Sequence, residues 1–444
     1  MSIRLSDHFT YRRLLRFTLP SIAMMIFTSI YGVVDGFFVS NYAGKTPFAA
    51  VNLIMPVLMI AATVGFMFGT GGTAIVANTL GEGKPKEANE YFSLFVYVTF
   101  AAAVVIEILG LIFLRRIAQA LGAEGELLED CVTYARINLL ALPFYSLQQL
   151  FQSFFVTAER PNLGFKVTVA AGLTNIVLDA VLCILLPQPY KLAGAAAATA
   201  LSQTVGGVAP LLYFFRKNDS ILRLGRARFD GRAILKACTN GSSEFMSNVS
   251  MNVVGMLYNA QLMKYAGENG IAAYGVMMYV SMIFAAAFIG YSIGTAPVIG
   301  YHSGAKNYGE LRGLLRKSLR LIGVCAVCMT AAAELLAYPL AALFVGYEAD
   351  LMNLTLSGFR IFSIGFLFMG FAIFGSGFFT ALNDGLTSAV ISFLRTLVFE
   401  AAAVLILPRL FGITGVWMAV VFAELMAMTI SAIFIAAKRG KYHY

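Results

Sequence analysis

Asn175 and Asp179 stand four residues apart in the run Gly172-Leu173-Thr174-Asn175-Ile176-Val177-Leu178-Asp179. On a helix that spacing stacks both side chains on one face. The surrounding stretch, 167–186, is largely apolar and about as long as a bilayer core is thick. An ionised carboxylate at such a place costs roughly 2.5–3.5 kcal/mol on insertion scales. It must face a cavity, hold a cation, take up a proton or find a hydrogen-bonded partner on a neighbouring helix. Intramembrane acids are rare, which favours a functional role over a purely structural one. Asp35, late in the first apolar segment, is a second such carboxylate, and Thr199 adds a hydroxyl. At a rise of 1.5 Å per residue, Asp179 falls about 24 Å into a core of roughly 30 Å, and Thr199 about 10 Å below the outer surface. Asp35, Asn175, Asp179 and Thr199 therefore converge on one level. Two carboxylates, an amide and a hydroxyl suit a hard monovalent cation or a shared proton.

The elements that must position them are membrane helices. The chain has 444 residues, 59% of them hydrophobic and 12% charged, against about a quarter charged in soluble domains. Twelve apolar segments are expected near 14–40, 49–80, 91–114, 131–158, 164–186, 192–215, 237–263, 271–300, 314–337, 351–381, 386–408 and 413–437. The polar opening through Tyr11 leads into a full-length span, so no cleavable signal is expected. Lys and Arg gather on one side: Arg12, Arg13 and Arg16, then Arg223, Arg226, Arg228 and Arg232 in the middle loop, then Lys438, Arg439 and Lys441. That bias puts both termini in the cytoplasm and requires an even number of crossings. It also accounts for the net charge of +9 without nucleic acid. The cysteines Cys131, Cys183, Cys238, Cys325 and Cys328 read as packing residues, with no metal site among them.

The chain repeats. Tyr42-Ala43-Gly44 returns as Tyr265-Ala266-Gly267 after 223 residues, and Ser153-Phe154-Phe155-Val156-Thr157-Ala158 returns as Ser376-Gly377-Phe378-Phe379-Thr380-Ala381 at the same offset. The expected fold is an all-α polytopic membrane protein of twelve crossings. Two six-helix bundles, 1–215 and 233–444, are joined by a cytoplasmic linker, 216–232. They are related by a pseudo-twofold axis along the membrane normal, with a cleft between them. The second bundle lacks an equivalent of the carboxylate site: Tyr258 and Asn259 stand at the counterpart of Asp35, and Ala402 at that of Asp179.

Other charges within apolar segments are weighed in the same way. Glu244 could face the cleft or cap a helix. Glu107 with Arg136, and Arg395 or Arg360 with Glu400, read as neutralising pairs; Glu334 and Glu424 read as snorkelling helix-end acids. Gly65, Gly69, Gly71 and Gly72 suit close helix packing rather than a phosphate loop, since no Lys-Ser/Thr follows. Tyr31, Met55, Tyr145, Phe151 and Tyr274 are candidate cleft walls, a Met and aromatic set suited to apolar cations. His8, His302 and His443 are scattered, which argues against a membrane enzyme.

Taken together, Asp35, Asn175-x-x-x-Asp179, Thr199, the two halves and the basic middle loop resemble the MATE (multidrug and toxic compound extrusion) family, in its MepA-like branch. The resemblance spans the whole length. It implies that Asp35, Asn175, Asp179 and Thr199 form a cation-linked site, with sodium a possible occupant. Glu244 resembles an acidic residue of crossing 7 used by some members, and joins Asp35, Asp179, Tyr31, Met55, Tyr145, Phe151 and Tyr274 in meeting substrate. Antiport of cationic amphipathic drugs is implied, without a cofactor, by a monomer among the lipids of the cytoplasmic membrane. The stretch 351–381 contains no acid where certain sodium-coupled members carry an aspartate, so proton and sodium both stay open. The runner-up is a lipid-linked precursor flippase, which would want arginines facing the cleft.

Overall fold

The computed structural model describes residues 3–346 and 348–444, and the side chains among them other than those of residues 33, 36, 37, 40, 41, 45, 343 and 344. Fifteen helices follow one another: α1 (Tyr11–Phe38), α2 (Lys45–Gly81), α3 (Pro85–Ala120), α4 (Gly125–Leu140), α5 (Leu142–Thr157), α6 (Pro161–Leu185), α7 (Lys191–Phe215), α8 (Gly231–Gly304), α9 (Tyr308–Val345), α10 (Ala349–Phe362), α11 (Phe366–Ala381), α12 (Gly385–Phe393), α13 (Glu400–Phe411), α14 (Ile413–Ala437) and the short α15 (Arg439–Tyr442). Ten stretches among the described residues are long and apolar enough to cross a membrane. Twelve crossings result, because α8 holds two of them and α4 with α5 make another. The turn expected between crossings 7 and 8 shrinks to Gly267, whose φ of 61° reverses the chain where a side chain would be strained. Crossing 4, expected as one helix, is broken at Ala141, where Pro143 at the start of α5 leaves a carbonyl without its donor.

The repeat is visible in backbone detail. The break at Ala141 has its counterpart in the 3-10 turn Ser363–Gly365 between α10 and α11, at the same offset of 223 residues. Gly44 (φ 114°) pairs with Gly267, and Gly83 (φ 77°) with Lys306 (φ 54°). Two elements depart, the first being the π turn Val39–Ala43 after α1, whose counterpart in α8, 262–266, is α-helical. Crossing 11 carries a π turn, Leu394–Phe399, between α12 and α13, whereas α6 is α-helical throughout. A π turn adds a residue and rotates everything after it.

The bundles meet along a glycine seam between α2 and α8. A Cβ on Gly81 would lie 2.0 Å from the Tyr301 carbonyl, and one on Gly304 would lie 2.0 Å from that of Asn78. Asn78 and Tyr301 are themselves 223 residues apart, so the contact is reciprocal, as an isologous twofold interface requires. Gly71 against Ala237 and Gly241 against Met67 extend it. The first and last described segments, 3–9 and 438–444, both lie at this end. Glu159 of the first bundle accepts the Leu5 amide (2.7 Å), while Glu310 of the second accepts the Phe9 amide (2.9 Å) and pairs with His8 Nδ1 at 2.6 Å. Residues 5–9 thereby strap one bundle to the other. Lys438 reaches Asp384 at 2.6 Å on the same surface. Toward the opposite end, Gly32, Gly255 and Gly275 have no heavy atom within 4 Å of a Cβ position. The seam does not reach these positions.

Candidate ion-coupling site

Small residues let three helices of the first bundle converge. A Cβ on Gly172 of α6 would meet the Phe27 ring of α1 at 2.4 Å and the Tyr31 ring at 2.9 Å. The Ser202 hydroxyl of α7 donates to the Ala171 carbonyl of α6 at 2.7 Å. This close approach brings Asp35 of α1, Asn175 and Asp179 of α6 and Thr199 of α7 together, all buried except the half-buried Thr199. Thr199 Oγ1 donates to Asp35 Oδ1 at 3.3 Å, and Asp35 faces both Asp179 and Asn175. Asp179 Oδ1, Asp179 Oδ2 and Asn175 Oδ1 are buried with no hydrogen-bond partner among the described residues. Among the described residues, neither aspartate has a salt-bridging cation. A buried polar atom left unpaired costs about 1–3 kcal/mol, more when charged. Two facing carboxylates with spare oxygens can meet that cost by binding a proton or a monovalent cation, and the donor set is all oxygen.

The structure adds residues that the sequence reading passed over. Tyr134 of α4 is fully buried, its hydroxyl unpartnered, and it faces Asp35, Thr199 and Asp179. Gln148, Gln149 and Gln152 of α5 form a buried polar belt whose side-chain atoms are largely unpaired. Gln148 lies over Gly206 and beside Tyr31, which in turn neighbours Tyr145 and Asp35. The pattern Gln148-Gln149-x-x-Gln152 inside an apolar crossing was the available signal.

The remaining candidates separate. Tyr31, Met55 and Tyr145 are half-buried. Phe151 lies in the core of the first bundle, its ring 5.5 Å from that of Phe214. Tyr274 is stacked on Tyr258 at 4.8 Å in the second. Glu244 is half-buried one turn beyond the seam at Gly241, and its carboxylate has no hydrogen-bond partner among the described residues. The expected pairing of Arg395 or Arg360 with Glu400 is corrected: Arg395 pairs with Glu424, by Nη2–Oε1 at 2.7 Å and Nε–Oε2 at 2.9 Å. Glu424 is therefore a buried partner, not a snorkelling end. Glu334 likewise accepts a hydrogen bond from Ser363. Glu107 and Arg136 form no ion pair among the described residues. The second bundle also has charge near the counterpart level, the half-buried Arg395 and Glu400 and the buried Glu424.

A family model described as MatE matches residues 20–181 and 245–405, one stretch in each bundle. A Multidrug export protein MepA of Staphylococcus saprophyticus is 25% identical over 430 residues, covering 95% of this chain and 92% of that relative. One of Staphylococcus aureus is 23% identical over 438 residues, covering 97% and 94%. Among solved structures, the outward-facing conformation of a multidrug resistance MATE family transporter superposes with a TM-score of 0.92 at 23% identity over 98% of this chain and 97% of that one. A MATE in complex with MaL6 superposes with a TM-score of 0.93 at 22% identity, covering 98% of each chain. The family match covers most of both bundles, including the helices that carry Asp35, Asn175 and Asp179, and the chain belongs to the MatE family.

Proposed function

We propose that this protein is a cation-coupled antiporter that exports cationic amphipathic drugs across the cytoplasmic membrane, with both termini in the cytoplasm. The observation that carries the reading is the facing pair Asp35 and Asp179, buried, without a cationic partner among the described residues, and with unsatisfied oxygens beside Asn175, Thr199 and Tyr134. A proton or sodium ion there changes the charge that α1, α6 and α7 must accommodate. It can shift the open-outward and open-inward states only by its different affinity for each. The rocking units are the bundles 1–215 and 233–444, working as a monomer among lipids. The reciprocal seam at Gly81 and Gly304 supports this, since a twofold contact at one end can be exchanged for one at the other. Substrate meets Asp35, Asp179, Glu244, Tyr31, Met55 and Tyr145 on the cleft side, with Phe151 and Tyr274 packed behind. The names of the staphylococcal relatives support drug export. A flippase for a pyrophosphate-bearing lipid is less favoured, because Arg395 is already taken up by Glu424.

The test is ethidium efflux from proteoliposomes under an imposed proton or sodium gradient. Asp179→Asn and Asp35→Asn should each lower gradient-driven efflux by at least about tenfold, some 1.4 kcal/mol in the driven step. The double variant should be little worse, because the two act as a unit. Undiminished driven efflux in both variants would move coupling to Glu244.

A further inference from the structure

The second bundle contains a built site that the coupling argument leaves unused. Tyr258 of α8 stands at the sequence counterpart of Asp35, and Glu400 lies two residues before Ala402, the counterpart of Asp179. Tyr258 is fully buried, its hydroxyl has no hydrogen-bond partner among the described residues, and the Glu400 carboxylate is its neighbour. The charged and titratable groups that act on Glu400 are Arg395 from its own crossing, Glu424 from α14, and Tyr258 and Tyr274 from α8. Arg395 is spent on Glu424: Nε donates to Oε1 at 3.1 Å and to Oε2 at 2.9 Å, and Nη2 donates to Oε1 at 2.7 Å. Two acids and one guanidinium leave one negative charge, and Glu400 holds it with no ion-pair partner of its own among the described residues.

We propose that Glu400 is a second proton-binding site, placed in the C-terminal bundle and separate from the Asp35–Asp179 pair. The donor set selects a proton over a metal ion. With both Glu424 oxygens engaged, the oxygens of this cluster that remain among the described residues are the two of Glu400 and the Tyr258 phenol. That is fewer than hard cations take, and the Arg395 guanidinium alongside repels any metal ion. When the proton arrives it forms an O–H bond on Glu400 and cancels the cluster's remaining charge; no other bond changes. A neutral Glu400 can donate to the unpartnered Tyr258 oxygen, whereas an ionised one can only accept from it. Tyr258 lies on α8, the helix that also forms the seam with α2. Protonation therefore bears on the element that holds the two bundles together.

Infrared difference spectra of the full chain in lipid nanodiscs, recorded between alkaline and acidic pH, test this without substrate or gradient. A protonated-carboxyl C=O band should appear on acidification, persist in the Asp35→Asn/Asp179→Asn double variant, and disappear in Glu400→Gln. Proton uptake over the same pH step should fall by one per chain in Glu400→Gln. Tyr258→Phe should shift the band by removing its hydrogen-bond partner, and it decides the matter where Glu400→Gln does not fold. A carbonyl region unchanged by Glu400→Gln, or by Tyr258→Phe when that variant must decide, overturns the proposal and leaves Glu400 as a permanently ionised companion of Arg395. The inference does not require drug export: failed efflux with an intact Glu400 band would count against the export reading alone.

Discussion

The two bundles bury charge at a similar level and treat it in opposite ways. In the first, Asp35 and Asp179 face one another with Thr199, Asn175 and Tyr134 beside them and no salt-bridging cation among the described residues. In the second, Arg395 clasps Glu424 through three hydrogen bonds and Glu400 stands beside the pair. The backbones are repeats down to the break in crossings 4 and 10 and the left-handed turn residues, so the difference lies in side chains and in the π turn Leu394–Phe399 that re-aims those of crossing 11. Symmetry suits a motion that exchanges two ends, whereas coupling needs a charge the protein leaves unbalanced. Duplicated helices keep the first property while substitutions confine the second to chosen places.

The largest expected effect comes from breaking the paired charges, Arg395 and Glu424. Removing one partner of a buried ion pair typically costs about 3–5 kcal/mol, because the other charge is left uncompensated. Arg395→Ala should therefore destabilise strongly, and Arg395→Met/Glu424→Leu should recover most of the loss. Asp179→Asn, by contrast, removes a charge that has no partner and should leave stability unchanged or raised. Thermal unfolding in lipid nanodiscs ranks the three. Equal losses for Arg395→Ala and Asp179→Asn would erase the contrast between the bundles.

A smaller effect separates the glycines of the seam from those beyond it. An added methyl at Gly304 or Gly81 meets a backbone carbonyl at 2.0 Å, a clash that side-chain rotation cannot relieve. Overpacking of this kind costs about 1–3 kcal/mol, roughly a 5- to 150-fold shift in population. Gly304→Ala should move the bundles apart at the terminal-bearing end, as read by paired spin labels there. Gly255→Ala and Gly275→Ala, with open space around them, should leave the same distances in place. Identical distance distributions in all three variants would show that the seam does not hold the closed state.

How much of this was legible follows from what each residue announces by itself. Asp35, Asn175 and Asp179 stood out because an acid in an apolar crossing is costly wherever it points, and the structure brings them together with Thr199. Tyr134 did not, because a tyrosine in a membrane helix is ordinary until its hydroxyl is seen facing Asp35. Phe151 and Tyr274 were read as cleft walls but lie in packed cores. In a crossing that is apolar all round, periodicity does not say which face turns inward. Arg395 was given the wrong acid because its partner lies on another crossing, and the π turn Leu394–Phe399 rotates it away from the position that α-helical spacing predicts.

The smallest effect contrasts two acids at the terminal-bearing end, Glu159 after α5 and Asp384 after α11, in equivalent turns of the two bundles. Burial alone would raise the Asp384 carboxyl, but hydrogen bonds from Lys438, Tyr442 and Thr387 outweigh it and hold the group below its ordinary value. The Lys438 and Tyr442 contacts are 2.6 and 2.8 Å. Burial pushes the Glu159 carboxyl up, and the bond from the Leu5 amide offsets only part of that. The signs therefore oppose. Asp384 has a depressed folded value, so its contribution is complete above the unfolded value of about 3.9 and is lost as pH falls through the folded one. Glu159 has a raised folded value, so its contribution is present in acid and is lost as pH rises through that value. Asp384→Asn should cost about 1–3 kcal/mol near neutrality, with the gap to the parent chain closing in acid. Glu159→Gln keeps an acceptor for Leu5 and should match the parent in acid and exceed it slightly near neutrality. Melting temperatures of the three proteins across the acid range check both slopes, and an Asp384→Asn curve parallel to the parent's at every pH would remove Asp384 as the residue that pins the C-terminal segment.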